Sequence, residues 1–369
     1  MTRRYLTGIV RAGMTDFIDR PSTIRTGEEL DIAKLTAYLR DAVPEIGSAA
    51  ITVQQFPSGH SNLTYFVQAG GNDYVLRRPP FGSKVKSAHD MGREYRILSR
   101  LHAVYPLAPE PLAFCEDESV LGANFYVMRR IEGIILRKQL PKDLTLAPAE
   151  MHALHENLVK NLARIHAIDF AAAGLGDLGK PDGYVERQVT GWTKRYEASQ
   201  TDDIQAVTDV ARWLAANLPR ESGASLLHND YKLDNVVLDP RAITSIVGVL
   251  DWEMSTLGDP LMDLGTLLGY WVEEADDDGL KTMQWGPTTQ PGSLTRQGVV
   301  DAYEKASGRS VSNALFYYVF GMFKTSVVIQ QIYYRYKQGL TKDERFAIMI
   351  MGVHVLASKA ARHIELGTV

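Results

Sequence analysis

The chain has little of what several function classes require. It holds one cysteine, Cys115, in 369 residues, which excludes an intrachain disulfide and any multi-cysteine zinc site and fits a reducing compartment. Its histidines do not form a zinc-protease pattern: His152 and His155 share helical spacing, but the acidic residue of H-E-x-x-H is missing. There is no broad positive field. Forty Lys and Arg face 44 Asp and Glu, and at a net charge of −4 nucleic-acid binding loses its main electrostatic driver. Long apolar runs are also lacking. The most apolar stretch, LFYYVFGMFKTSVVIQQIYY (315–334), contains Lys324, Gln330 and Gln331 and predicts a buried helix, not a membrane span. The opening residues MTRRYLTGIVRAGMTDF never sustain the apolar core of a secretion signal, so a cytoplasmic protein is expected. Internal repeats and low-complexity segments are absent.

What is present is enough chain to bury a large core, in two halves of different pattern. Residues 1–25 show no period and read as a loose leader. Thr26 with Glu29 three positions on reads as a capping box, opening a helix with the stripe Ile32, Leu35, Leu39, Val43. ITVQQF, LTYFVQA and YVLRR read as strands, separated by PSGHSN (57–62) and GGND (70–73). A helix around 88–102 and strands at 111–115 and 124–130 complete a small lobe over 26–130. From 131 to 369 helical periodicity dominates, with helices expected at 148–168, 188–198, 203–217, 260–272, 295–306, 312–336 and 341–365. One β-rich interruption at 226–251 falls inside that half. The fold class expected is α+β: a small β-rich N-terminal lobe and a larger, mostly helical C-terminal lobe. The acidic run EEADDDG (273–279) reads as a solvated loop, and TMQWGPTTQPGS after it as an exposed loop or lid.

The chemistry concentrates in LLHNDYKLDNVVLDP (226–240). Asp230 and Asn235 lie on a short loop, and Asp251 ends the apolar run SIVGVLD. A hairpin between NVVLDPRAI and that run returns its ends to one place, making Asn235 and Asp251 neighbours. An amide oxygen beside a carboxylate suits Mg²⁺, which takes its remaining ligands from phosphates and water. Asp230, five residues before Asn235, is placed to orient a hydroxyl and take its proton. Asp259 and Asp263 in GDPLMDL suit helix capping and bracing of this loop.

The motif HNDYKLDN…VLDWE resembles the catalytic loop and metal Asp of the aminoglycoside phosphotransferase-like (APH) branch of the protein-kinase-like fold. In order along residues 50–270, SGHSNLTYFVQAGGNDYVLRRPP resembles the family's nucleotide-covering hairpin, REYRIL its helix carrying an acidic partner, FYVMRRIEG its inter-lobe hinge, and STLGDPLMDLG its next large helix. The wording SNLTY, YVLR and LDWEMSTLGDP is similar to the kinase-like domains associated with acyl-CoA dehydrogenases. The resemblance implies a two-lobed fold and an ATP- and Mg²⁺-dependent small-molecule kinase. It implies Asp230 as catalytic base with Lys232 on the γ-phosphate, and Asn235 and Asp251 as Mg²⁺ ligands. Nucleotide contacts would come from Ser58, Gly59, Ser61 and Asn62 in the turn and from Met128, Arg129 and Ile131 in the hinge. Either Arg77 or Arg78 would reach the phosphates, held by Glu94, at a place where most kinases carry Lys. His228 would be scaffold. Asn229 departs from the pattern, since Gly is usual there in small-molecule kinases and Arg in protein kinases; Asn tolerates a left-handed backbone.

Only eleven residues separate Asp251 from Asp263, too few for the activation segment that binds a peptide. A small hydroxylated acceptor is therefore expected. Arg187, Trp192, Lys194, Arg195 and Tyr196 in the helical half, with Lys84, Lys86 and His89 from the small lobe, favour an anionic acceptor such as a hydroxyacyl-CoA. A functional link to an acyl-CoA dehydrogenase is expected, although kinase motifs leave no region for a flavin-binding body. The rival expectations are an aminoglycoside-type antibiotic kinase and a catalytically weak nucleotide- or partner-binding module.

Overall fold

The structure, a computed structural model, describes residues 13–57, 62–81, 90–341 and 343–369. The small lobe is a five-stranded antiparallel sheet in the order β1-β2-β3-β5-β4. Its strands are β1 (Ile51–Gln55), β2 (Leu63–Ala69), β3 (Asn72–Arg78), β4 (Pro111–Cys115) and β5 (Phe125–Arg129). Alternation along β2 sends Leu63, Tyr65, Val67 and Ala69 to one face, where they bury against Leu35 and Leu39 of α1 (Ile32–Ala42). Phe66, Val75 and Met128 face the other way, toward Met91, Ile97 and Leu98 of α2 (Met91–Leu101). A single turn, α3 (Glu118–Leu121), joins β4 to β5.

The large lobe contains α4 (Pro148–His166), α5 (Tyr184–Ser199) and α6 (Gln205–Ala216), then the short strands β6 (Ser225–Leu227), β7 (Val236–Asp239), β8 (Ala242–Val249) and β9 (Thr256–Gly258). It ends with α7 (Pro260–Gly269), α8 (Asp278–Thr282), α9 (Arg296–Ser307), α10 (Ala314–Lys337) and α11 (Met349–Leu366). Every residue of α7 is buried, Asp263 and Thr266 included. It crosses α10 so closely that a Cβ on Gly321 would overlap the Gly265 carbonyl. No helix is long and apolar enough to cross a membrane among the described residues.

Five local expectations are corrected. The helix after Thr26 begins at Ile32 with Asp31 as its cap, accepting from Lys34 N; Glu29 instead accepts from Gly27 N. Residues 13–25 are not loose. Met14 joins the main core, Ser22 bridges to Gln55 and Ile18 to Ile134, and such long-range partners leave no local period to read. The acidic run is only partly solvated: Asp276 is buried and chelates the Arg296 guanidinium at 2.7 and 3.0 Å, with Lys359 3.0 Å away. The stretch after it is packed, with Gly286, Pro287 and Thr288 buried and Thr288 donating to Val272 O. At the C-terminal end, α11 starts at Met349, after a 3₁₀ turn at Glu344–Ile348.

Candidate active site

The β7–β8 hairpin brings the two ends of the polar loop together. Val236 pairs with Val249, and Leu250 N donates to Asn235 O at 2.8 Å, so Asn235 and Asp251 flank one point of the ladder. The loop leading in from β6 is fastened underneath. Asp263, wholly buried on α7, accepts from the backbone N–H of His228 at 2.7 Å and of Asn229 at 2.8 Å. It also faces His166 Nε2 at 3.2 Å, whose other ring nitrogen meets the Tyr303 hydroxyl at 2.7 Å. Asp259 caps α7 through Leu261 N and ties in Ser222. His228 is buried, bonded through Nε2 to Leu250 O and packed on Trp252; burial holds its pKa below the ordinary value.

Asn229 adopts φ 65°, the left-handed region that Asn enters more readily than other side chains. Its amide is occupied on both sides, accepting from the Tyr184 hydroxyl and donating to Met254 O. Its carbonyl receives the buried Lys324 ammonium at 2.6 Å. Burial lowers the Lys324 pKa to about 8, against the pull of Asp230 and Asp263.

That clamp presents the Asp230 carboxylate to a cleft of about 690 Å³ between the lobes. Oδ2 accepts from Lys232 Nζ at 2.5 Å and Asn235 Nδ2 at 2.9 Å, and Oδ1 from the Tyr270 hydroxyl at 2.7 Å. Burial pushes Asp230 up, but the Lys232 charge and the bonds from Lys232 and Tyr270 outweigh it and hold the carboxyl below its usual range. Asp251 also takes a left-handed backbone, φ 68°.

From the small lobe, Arg77 spans the cleft. Its guanidinium pairs with Glu94 at 2.7 Å and Asp251 at 3.0 Å, and Glu94 accepts from Trp252 N at 3.1 Å. Burial raises the Glu94 pKa, with Arg77 opposing. Of the two arginines, Arg77 is the one that Glu94 holds; Arg78 is buried elsewhere, donating to Pro79 O and stacking on Phe81. Asn62 is buried and donates to Glu253 Oε2 at 2.7 Å. Burial, reinforced by Asp251, pushes the Glu253 carboxyl up to about 7. Met128 and Ile131 line the cleft. Arg129 lines it too, with its guanidinium paired to Glu45 and Glu110. Ser58, Gly59, Ser61, Lys84, Lys86 and His89 lie outside the described residues.

The donor set suits a hard divalent cation. The Asn235 amide spends its N–H₂ on Asp230, which turns its oxygen over for another use, and among the described residues Asp251 is engaged through one oxygen, by Arg77. One amide oxygen and one carboxylate on the wall of a cleft are what Mg²⁺ takes from a protein when phosphates and water supply the rest. No group of three or more His, Cys, Asp or Glu able to hold a metal occurs among the described residues.

A family model described as the phosphotransferase enzyme family, APH, matches residues 52–291, a span that holds Arg77, Glu94, Asp230, Asn235 and Asp251. The chain belongs to that family. Its relatives include acyl-CoA dehydrogenase family member 11 of Rattus norvegicus, 36% identical over 86% of this chain. Family member 10 of Mus musculus is 33% identical over 82%. The chain spans 41% and 28% of the length of these two relatives. Among solved structures, an aminoglycoside phosphotransferase-like protein of Ralstonia eutropha is 30% identical, with a TM-score of 0.77 over 92% of this chain and 99% of that one. The aminoglycoside phosphotransferase APH(4)-Ia, in a complex with AMP-PNP and hygromycin B, is 17% identical with a TM-score of 0.55 over 87% and 98% and shares the fold. Both agree with a two-lobed protein-kinase-like architecture.

Reading the sequence by family pattern passes over several groups at the site. Tyr270, Glu253 and Lys324 all touch or face its carboxylates, and Trp285 lines the cleft and packs against Tyr270. Tyr270 and Lys324 sit on helices that read as core, and Trp285 sits in an apparent loop; only the lone Lys in the apolar run of α10 signals that something polar is being held.

Proposed function

We propose that the chain is an ATP-dependent phosphotransferase that moves the γ-phosphoryl group to a hydroxyl of a small anionic molecule. The observation that carries this reading is the set of Asp230, Asn235 and Asp251 on one wall of the cleft, with the Arg77–Glu94 pair reaching across from the small lobe. Asp230 accepts the proton of the acceptor hydroxyl as its oxygen bonds to phosphorus; the bond to the β-phosphate bridging oxygen breaks and ADP leaves. Lys232, held on Asp230 Oδ2, supplies a cation for the charge on the transferring group. Arg77, its fork held by Glu94 and Asp251, places a positive charge on the cleft wall toward the non-transferred phosphates. Asn235 and Asp251 would hold Mg²⁺, which neutralises phosphate charge when bound. Met128, Arg129 and Ile131 border the place for the base, and Ser58, Gly59, Ser61 and Asn62 are assigned to the phosphates.

A hydroxyacyl-CoA is the acceptor class best supported. Arg195 stacks over Trp192 at 4.6 Å, Lys194 is exposed beside it, and Arg187 is exposed and spends its guanidinium on main-chain carbonyls. Relatives named as acyl-CoA dehydrogenase family members point the same way. An aminoglycoside acceptor draws support from the Ralstonia eutropha neighbour, but a polycation needs free carboxylates, and Asp276 and Glu273 are committed to Arg296. The deciding experiment is ADP release from Mg-ATP with hydroxyacyl-CoAs and, separately, with aminoglycosides. Turnover with the former, reduced roughly 10²–10⁴-fold in Asp230→Asn, is expected; turnover with aminoglycosides alone overturns the acceptor assignment.

A further inference from the structure

The Tyr270 hydroxyl lies 2.7 Å from Asp230 Oδ1, close enough to be a full hydrogen bond to an ionised acceptor. A carboxylate offers about four acceptor positions, two on each oxygen. On Oδ2 both are filled, by Lys232 at 2.5 Å and Asn235 at 2.9 Å. On Oδ1 Tyr270 fills one. We infer that Tyr270 is a positioning residue that leaves Asp230 a single open lone pair, on Oδ1, and so dictates where the acceptor hydroxyl docks. The inference rests on the phosphotransfer reading with Asp230 as base, and adds to it a group that selects the direction of approach.

Tyr270 is itself held in place. It is the C-cap residue of α7, with its amide bonded back to Leu267 O and Leu268 O. Its ring packs against Trp285 with centroids 5.5 Å apart, and the Lys232 ammonium lies 5.1 Å over it. The phenol pKa is raised well above the ordinary 10 by burial and the adjoining carboxylate, so the group stays a donor. Without this donor, Oδ1 has two open positions. A hydroxyl bonded in the wrong one is held but not aimed at phosphorus, and misplacement on the ångström scale costs roughly 10²-fold in rate.

The test measures ADP release by the full chain from Mg-ATP, with water and with 3-hydroxybutyryl-CoA as acceptors. Tyr270→Phe keeps the ring and its packing; it should lower kcat roughly 10- to 100-fold while the KM for ATP stays within about twofold of wild type. Incorporating 3-fluorotyrosine at 270, which keeps shape and donor, should restore the rate. The inference is overturned if Tyr270→Phe turns over like wild type while Asp230→Asn does not. It is equally overturned if the fluorinated protein is as slow as Tyr270→Phe, or if the KM for ATP rises as kcat falls, which marks general distortion. If Asp230→Asn is as active as wild type, or wild type releases no ADP with either acceptor, the phosphotransfer reading fails and takes this inference with it.

Discussion

At position 229 the backbone is left-handed and the side chain still makes two hydrogen bonds. Gly removes the conformational cost and loses the bonds, so Asn229→Gly should change stability by less than about 1 kcal/mol. Asn229→Val loses both and adds strain, and should cost roughly 1–3 kcal/mol more. Urea unfolding of the two variants measures the difference. Arg77 presents a different balance. Removing its charge in Arg77→Met leaves Glu94 buried and unpaired, at a cost of roughly 3–5 kcal/mol. Arg77→Lys keeps the charge, but one ammonium cannot serve Glu94 and Asp251 as the fork does, and about 1.5–3 kcal/mol should be lost. The same unfolding assay ranks the pair. Much at this scale was legible: a loop of fixed spacing announces Asp230, Asn235 and Asp251, and Asn229 announces its own φ. Tyr270 was not, because its meaning depends on a partner forty residues away in the chain and its immediate neighbours, Leu268, Gly269, Trp271 and Val272, are apolar.

Among the elements, the crossing of α7 and α10 carries the most. Asp263 on α7 and Lys324 on α10 grip the same loop from below, and the two helices approach through Gly265, Gly269 and Gly321. A methyl group at 321 has main chain, not a flexible side chain, in its way. Gly321→Ala should therefore destabilise by roughly 1–3 kcal/mol or more and lower Tm in a thermal melt, and it should reduce ADP release even at temperatures where the chain stays folded. Period alone gave α4, α6, α9 and α10 to within a few residues, because their stripes are long. It missed the start of α11, where a 3₁₀ turn interrupts the helix at Glu344–Ile348. Charge alone misread 273–279: Asp276 is ordered by Arg296 and Lys359, and no local rule pairs residues so far apart.

For the molecule as a whole, the clearest pH-dependent stabilities come from buried histidines. His155 is fully buried against Trp271, accepts from Leu294 N, and burial holds its pKa at about 3 instead of 6.5. The unfolded chain therefore binds a proton below 6.5 that the folded one refuses, so this contribution is complete above that pH and drains away as pH falls toward 3. Comparing wild type with His155→Gln in urea, the advantage of the wild type should shrink by about 1.4 kcal/mol per pH unit across that window. A flat difference would show that His155 is protonated in the fold. The leader, finally, has a mechanical meaning. Residues 13–25 bond to Gln55 in the small lobe and to Gly133, Ile134 and Arg137 at the start of the large one, running beside the covalent hinge. A body hung from one thread can swing about any axis, whereas one hung from two can swing only about the line joining them. The strap thus gives the two lobes a second tie beside the covalent hinge, so the joint is fastened at two places and not one.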